Sequence, residues 1–220
     1  MNIAVLGTGT VGRTIADKLV GLGHQVVMGS RTADNPKSME WAAAAGDGAS
    51  YGTYADAAQH ADVIFNCTSG AGSLDAIGTF GQQIGNGRIL IDIANPLDFS
   101  SGFPPSLSVS NTDSLGEQIQ KEFPGLKVVK TLNTVTASLM VDPTGVPGDH
   151  TIFMSGNDDD AKSQVRQWLG EWFGWKPENI IDLGDITTAR GTEQLLPLWV
   201  RLYAKFGSPA FNFHVVMGNR

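Results

Sequence analysis

The chain has 220 residues, a formal net charge of −7 and 41% hydrophobic residues. This length predicts one domain, or one domain with a small appendage, and the apolar fraction is ordinary for a globular protein. The negative charge and the absence of a basic run argue against a nucleic-acid surface, and the lack of a signal peptide or long apolar span predicts a soluble, cytoplasmic protein. With Cys67 as the single cysteine and four dispersed histidines, we expect neither a disulfide framework nor a metal site.

The first 31 residues predict a strand, a glycine-rich turn, a helix and a second strand. Residues 3–6 form an apolar run typical of a strand that is buried on both faces. The next six residues match the G-x-G-x-x-G fingerprint of dinucleotide-binding proteins: Gly7-Thr8-Gly9-Thr10-Val11-Gly12. In such a site the first glycine allows a tight turn, the second lets the pyrophosphate approach the backbone, and the third lets helix and strand pack closely. A plain glycine-rich turn is the alternative, but the order of the elements favours dinucleotide binding.

The end of the second predicted strand indicates which dinucleotide is bound. Residues 24–28 form this strand, and Gly29-Ser30-Arg31 follows it. An NAD site places an acid here to bind the ribose 2′-hydroxyl, but no acid is present. Arg31 offers a guanidinium group suited to a phosphate dianion, Ser30 offers a hydroxyl, and Lys37 adds a second positive charge. A solvated surface arginine is the alternative, and the missing acid favours NADP(H).

The remaining sequence predicts alternating strands and helices. We expect strands at 49–51, 62–67, 88–94, 126–132, 150–155 and 179–183, helices at 37–45, 54–60, 73–84, 112–123, 158–173 and 187–206, and an irregular excursion at 99–111. Pro197 is expected to kink the last helix or to mark its start. The predicted fold class is therefore α/β, a Rossmann-type doubly wound and mostly parallel sheet with a small C-terminal α/β extension. We expect an NADP-binding domain at 1–141 and a smaller part at 142–220 packed on it.

Polar residues follow three of the predicted strands. Thr68 and Ser69 follow the strand at 62–67, Asn95 and Pro96 follow the strand at 88–94, and Asn133 and Thr134 follow the strand at 126–132. Ligands of doubly wound sheets bind outside the carboxyl ends of the strands. We therefore expect the three loops to converge on one crevice near the nicotinamide. A polar turn at residues 68–69 and a strand-end cap at Asn133 are the alternatives.

Five motifs give the chain a family resemblance. They are the fingerprint, Gly29-Ser30-Arg31, Asp92-Ile93-Ala94-Asn95-Pro96-Leu97, Lys130-Thr131-Leu132-Asn133-Thr134, and Ala189-Arg190 through Glu193 and Leu196-Pro197-Leu198-Trp199. Over nearly its full length the chain resembles the deazaflavin (factor 420)-dependent NADP oxidoreductases, a family similar to the cytoplasmic domain of six-transmembrane metalloreductases. The family more often has Ala and Phe where Thr131 and Leu132 stand, and the excursion at 99–111 is longer than usual.

The resemblance implies an enzyme, usually a dimer, that transfers a hydride between NADP(H) and a deazaflavin coenzyme without a catalytic side chain. We expect NADP(H) to be bound by Gly7, Thr8, Gly9, Thr10, Val11, Gly12, Ser30, Arg31, Lys37, Thr68, Ser69, Asn95, Pro96, Asn133 and Ala137, and the substrate by Asn95, Asn133 and Thr134. The alternatives are an NADPH-dependent reductase of a flavin or a small carbonyl or imine compound, and a non-catalytic NADP(H)-sensing protein.

The apolar C-terminal region predicts how the chain assembles. It contains Trp199, Tyr203, Phe206, Phe211 and Phe213, more aromatic residues than a small subdomain needs. Large exposed apolar patches mark interaction sites. We therefore expect a homodimer through the last helix and the tail. The other expected partner is a small-molecule redox partner, with neither a nucleic acid nor a membrane involved.

Overall fold

The structure is a computed structural model, and it describes residues 1–83 and 87–218. In these ranges the strands are β1 (Asn2–Leu6), β2 (Gln25–Ser30), β3 (Ala49–Thr53), β4 (Val63–Asn66), β5 (Arg88–Asp92), β6 (Leu97–Asp98), β7 (Ser106–Leu107), β8 (Leu126–Thr131), β9 (Ile152–Gly156) and β10 (Ile180–Asp182). The α-helices are α1 (Thr10–Gly21), α2 (Pro36–Ala45), α3 (Tyr54–Gln59), α4 (Gly70–Gly78), α5 (Leu115–Glu122), α6 (Ala137–Val141), α7 (Asp159–Phe173), α8 (Ala189–Gln194) and α9 (Leu196–Phe206).

Eight of the strands form one sheet in the order β3-β2-β1-β4-β5-β8-β9-β10. The six strands from β3 to β8 pair in parallel, β9 is antiparallel to β8, and β10 is parallel to β9. The chain order reverses between β1 and β4, which is the switch point where ligands of doubly wound sheets bind. The predicted α/β Rossmann-type fold is confirmed.

Both faces of the sheet are covered by helices, and β1 shows why its sequence is continuously apolar. Ile3 and Val5 lie in one core cluster, which includes residues of α1, α2 and α7. Ala4 and Leu6 lie in a second cluster, which includes residues of α3, α4 and α5. Successive side chains of a strand point to opposite faces, so a strand between two helical layers needs an apolar residue at every position.

Three predicted elements differ from the structure. The predicted long helix at 187–206 is a 3₁₀ turn (Ile186–Thr188) followed by α8 and α9. Pro197 lies in the first turn of α9, where a backbone N–H has no partner within the helix, so the missing N–H of proline costs no hydrogen bond. The excursion at 99–111 contains β7, which pairs with β6 in a small antiparallel sheet. The helix predicted at 73–84 is α4, which ends at Gly78, and Ile84 lies outside the described residues.

The part of the chain after residue 141 extends the same sheet. It contributes β9 and β10 at the edge next to β8, and α7 packs on β8 and β9. The division into a domain at 1–141 and a smaller part at 142–220 stays a prediction. Within the two described ranges, every helix is too short or too polar to cross a bilayer.

Candidate nucleotide and hydride-transfer site

A cavity of about 510 Å³ opens at the carboxyl ends of β1, β2 and β4. It brings together eight of the predicted site residues, namely Gly7, Thr8, Gly9, Ser30, Arg31, Lys37, Thr68 and Ser69. Its remaining lining residues, which the sequence did not single out, are Asn35, Pro36, Tyr54, Cys67 and Gly72. The cavity lies at the switch point of the sheet, as a dinucleotide site requires.

The three fingerprint glycines differ in what surrounds them. Gly7 has a φ of +118°, and a Cβ atom there would lie 2.6 Å from the carbonyl oxygen of Cys67. A Cβ atom on Gly12 would lie 2.1 Å from the carbonyl oxygen of Gly7, so α1 packs directly on the turn. Around Gly9, by contrast, no atom lies within 4 Å of the Cβ position.

The open space at Gly9 lies at the start of α1. Gly9 is the N-cap of this helix and has no side chain to satisfy the first-turn N–H groups. Helix N-termini with free N–H groups bind phosphate groups. The fingerprint therefore fits a pyrophosphate, because packing requires glycine at positions 7 and 12 and leaves position 9 open.

The cavity is positively charged at the end of β2. Arg31 and Lys37 are exposed side chains that line it, and its lining residues in the described part of the chain include no Asp or Glu. Lys37 is held at the start of α2, where the Oδ1 atom of Asn35 accepts a hydrogen bond from the Lys37 N–H at 3.0 Å. Two cations beside a helix N-terminus suit a phosphate dianion.

Ser30 lies beneath these cations. Its side chain is buried, and its hydroxyl donates a hydrogen bond to the Thr32 carbonyl oxygen at 2.5 Å. The hydroxyl proton is therefore already used in a hydrogen bond to the main chain, and the hydroxyl oxygen can still accept a hydrogen bond. In this arrangement Ser30 shapes the loop that carries Arg31.

A second cavity of about 390 Å³ adjoins the first and shares Cys67, Thr68 and Ser69 with it. Its other lining residues are Val11, Gly70, Ala71, Ile93, Ala94, Asn95, Leu97 and Phe99. Burial, and to a smaller extent the negative charge of Asp92, raises the pKa of the Cys67 thiol well above its usual range, so the thiol is uncharged. The wall is therefore neutral and largely apolar, which suits an uncharged aromatic ring.

The loops after β5 and β8 are joined by a reciprocal amide pair. The Nδ2 atom of Asn95 donates to the Asn133 carbonyl oxygen at 2.9 Å, and the Nδ2 atom of Asn133 donates to the Oδ1 atom of Asn95 at 2.9 Å. Asn95 lines the second cavity, whereas Asn133 is buried.

Some of the predicted site residues line neither of the two cavities. They are Thr10, Gly12, Pro96, Asn133, Thr134 and Ala137. Their assigned contacts with the ligands stay predictions.

Beneath the crevice lies a buried charge cluster formed by Asp92, Lys130 and Glu193. The Nζ atom of Lys130 lies 2.8 Å from the Oδ2 atom of Asp92 and 2.9 Å from the Oε1 atom of Glu193, and it also donates to the Ala94 carbonyl oxygen. Burial acts to lower the pKa of the Lys130 ammonium group, but the charges and hydrogen bonds of the two carboxylates outweigh it and raise the pKa. Lys130 is therefore charged.

This cluster is connected to the loops after β4 and β5 and, through Glu193 of α8, to the start of α5. The Oδ1 atom of Asp92 accepts from the Asn66 Nδ2 atom at 2.8 Å and from the Ala94 N–H at 3.2 Å. The Oδ1 atom of Asn66 in turn accepts from the Thr68 hydroxyl at 2.7 Å. The Glu193 carboxylate accepts from the N–H groups of Leu115 and Gly116, at 2.8 and 3.1 Å.

The sequence motifs assign no role to this network. The available signal was a charged residue near the carboxyl end of each of two predicted strands, Asp92 after the apolar residues 89–91 and Lys130 after the apolar residues 128–129. Charges are almost never fully buried unless they are paired. Two opposite charges on neighbouring buried strands therefore indicate a pair.

Three known proteins are similar to the chain over most of its length. The crystal structure of a candidate F420-dependent NADP-reductase from Arthrobacter sp. FB24 has 50% sequence identity and a TM-score of 0.92, and the match covers 99% of this chain and 100% of that one. The F420-dependent NADP reductase of Methanothermobacter marburgensis is 28% identical over 214 residues, 93% of each protein. Metalloreductase STEAP3 of Rattus norvegicus is 28% identical over 202 residues, which are 90% of this chain but 37% of STEAP3.

The sequence profile of one protein family also matches. Its description is "NADP oxidoreductase coenzyme F420-dependent", and it matches residues 2–96, from β1 to the loop after β5. This range contains the fingerprint, Arg31 and the residues that line both cavities, except Leu97 and Phe99. The Arthrobacter protein extends the similarity, at 50% identity, to nearly the whole chain. These findings confirm the resemblance inferred from the motifs: the chain belongs to the family of coenzyme F420-dependent NADP oxidoreductases.

Proposed function

We propose that this NADP-dependent oxidoreductase transfers a hydride between NADP(H) and coenzyme F420, a deazaflavin. The observation that supports this most directly is the pair of adjoining cavities. Among the described residues that line them, one cavity has two cations, an open position at Gly9 and no carboxylate, and the other is neutral and largely apolar. The first suits the phosphate groups of NADP(H), and the second suits the stacked rings that exchange the hydride.

The fingerprint turn and the end of β2 bind the nucleotide. The backbone of residues 7–12 and the N-terminus of α1 hold the pyrophosphate, because Gly9 is the N-cap of α1 and no atom lies within 4 Å of its Cβ position. Arg31 and Lys37 bind the 2′-phosphate with charge-assisted hydrogen bonds, and Ser30 contributes its remaining lone pair or positions the Arg31 loop. Tyr54 and Pro36, which also line the cavity, form apolar walls beside this phosphate site.

The loops after β4, β5 and β8 position the reacting rings. Bound NADPH supplies a hydride from C4 of its nicotinamide, and such a transfer requires alignment of the two rings at about 3–3.5 Å. Thr68, Ser69 and Asn95 line the neutral cavity and orient the nicotinamide, with Pro96 and Ala137 contributing through the loops that carry them. Asn133 holds Asn95 through the amide pair, and Asn133 and Thr134 contribute to the acceptor side from the third loop. A proton from water completes the reduction, so no side chain is required as an acid.

The reaction can be tested with purified protein, NADPH and oxidised F420, without added metal or flavin. We expect F420 reduction, and with deuterium at the transferred C4 position we expect the label at C5 of the deazaflavin. Failure to reduce F420, together with rapid NADPH oxidation by FMN or a carbonyl compound, would contradict the proposal in favour of another reductase. Tight NADPH binding without turnover by any acceptor would favour a sensor.

We further propose that the protein is a cytoplasmic homodimer that associates through α9 and the tail. The outer face of α9 exposes Leu198, Tyr203 and Phe206, while Phe213 anchors the tail through a hydrogen bond from the Thr151 N–H to its carbonyl oxygen. Large apolar side chains on one face of a helix are costly in water and are typical of an interface. Light scattering at micromolar concentration should give twice the monomer mass, and Leu198→Asp with Phe206→Asp should give the monomer mass. A monomeric mass for the unmodified protein would contradict the proposal.

A further inference from the structure

The excursion after β6 exposes two large aromatic side chains. Phe99 is 58% exposed and Phe103 is 61% exposed, so neither ring contributes much to the core. A phenyl ring in water forgoes the free energy that its burial would provide. Phe99 lines the neutral cavity, whereas Phe103, four residues later, does not. The two rings therefore lie on the same loop and are similarly exposed, but only the Phe99 ring lines the neutral cavity.

The main chain holds Phe99 at the cavity rim. The Ser100 N–H donates to the Oδ1 atom of Asp98 at 2.8 Å, and the Gly102 N–H donates to the Phe99 carbonyl oxygen at 2.8 Å. The small β6–β7 sheet closes the base of the loop, with Leu97 opposite Leu107. These bonds restrict the main chain at Phe99, so little backbone freedom is left to lose when a ligand packs against the ring.

We infer that Phe99 forms the outer wall of the acceptor site, against which the tricyclic ring of the deazaflavin packs. This inference rests on the proposed function. The cavity wall contributed by Val11, Ile93 and Leu97 is apolar, and Phe99 is its one aromatic member among the described lining residues. A planar ring bound here covers apolar surface of Phe99 that is otherwise in water, and aromatic rings prefer offset-stacked or edge-to-face contact.

The inference predicts a specific kinetic pattern. Phe99 contacts the acceptor before and during hydride transfer alike, so its removal should weaken binding without slowing the transfer step. We expect Phe99→Ala to raise both the KM for F420 and its Kd in the presence of NADP⁺ about 10-fold, which corresponds to about 1.4 kcal/mol. We expect kcat and the NADPH affinity to change less than about twofold, since Arg31 and the fingerprint turn are untouched.

Phe103→Ala is the matched control. It removes the same ring from the same loop at equal exposure, and we expect KM and Kd for F420 within about twofold of the unmodified protein. Phe99→Tyr retains the ring and should restore the affinity. Because both residues are exposed, the variants should fold, and a thermal unfolding curve for each verifies this.

The outcomes separate the inference from the function on which it rests. If the unmodified protein reduces F420 but Phe99→Ala binds it normally, the inference is wrong and the proposed function stands. If Phe103→Ala weakens F420 binding as much as Phe99→Ala, the loop and not this ring is responsible, and the inference is also wrong. If the unmodified protein does not reduce F420, the proposed function fails and the inference fails with it.

Discussion

Replacing Lys130 with methionine should destabilise the protein more than any surface change. Lys130→Met removes the ammonium group that faces Asp92 and Glu193 but keeps an apolar side chain of similar length. Both carboxylates are almost fully buried, at 0% and 2% side-chain exposure. They keep their hydrogen bonds from main-chain N–H groups and from Asn66 but lose their only shared cation among the described residues.

The expected loss of stability follows from the burial of the two carboxylates that lose their cation. Removing one partner of a buried ion pair costs about 3–5 kcal/mol, because the remaining charge stays desolvated and uncompensated. We therefore expect the free energy of unfolding in urea to fall by about 3–5 kcal/mol. With a slope of about 3 kcal/mol per molar urea, the unfolding midpoint should decrease by roughly 1–1.7 M.

Lys127→Met is the control for this prediction. Lys127 lies on the same strand and pairs with Asp158 at 2.8 Å, but both side chains are 34% exposed. Pairs of this kind contribute about 0–1 kcal/mol, so the midpoint should change little. Adding Glu193→Gln to Lys130→Met removes one of the two uncompensated buried carboxylates and should recover part of the lost stability. Equal losses for the two lysine variants, or a further loss in the double variant, would refute the reasoning.

Four further predictions concern the crevice. Arg31→Ala should weaken NADPH binding by roughly 10- to 100-fold, from the loss of a contact worth about 1.5–3 kcal/mol, and titration should show NADH binding unchanged. Gly9→Ala should weaken NADPH binding with a stability loss below about 1 kcal/mol, whereas Gly12→Ala should lower the melting temperature sharply, because its Cβ atom would clash with the main chain. Because its pKa is raised, the Cys67 thiol should stay protonated at pH 8–9, and native protein should react with iodoacetamide far more slowly than protein in urea. Asn133→Ala breaks the amide pair that holds Asn95, and single-turnover kinetics should show slower hydride transfer with NADPH affinity retained within a few fold.

Much of the fold was predictable because its signals are local. The strands β1 and β4 are largely apolar, β5 and β8 contain shorter apolar runs, and each strand is followed by a glycine-rich or polar turn. The capping box of α3, in which Thr53 and Asp56 exchange hydrogen bonds, also lies within four residues. The antiparallel direction of β9 was not predictable in this way. An apolar run contains no information about which way its neighbour runs, and the connection through α6 permits either direction.

The predictable part of the site was the part carried by single loops. The fingerprint and the end of β2 line one cavity as expected, because each is a contiguous motif. The Asp92–Lys130–Glu193 cluster was not predicted, because its members belong to β5, β8 and α8, and Lys130 and Asp92 are separated by 38 positions in sequence. Their association depends on the strand order β4-β5-β8, which places Asp92 opposite Lys130 in the register.

The buried network holds the loops of the proposed hydride-transfer site in fixed positions. Hydride transfer between two rings depends on alignment, and the residues that line the second cavity belong to loops far apart in the chain. Lys130 bonds the main chain at Ala94, next to Asn95, while Asp92 and Asn66 hold the Thr68 hydroxyl. Because these bonds are buried, they hold the loops in place before any ligand binds. In the proposed function, Lys130 therefore supports the reaction by holding the main chain at Ala94. The two carboxylates that make its removal costly also tie it to β5 and α8.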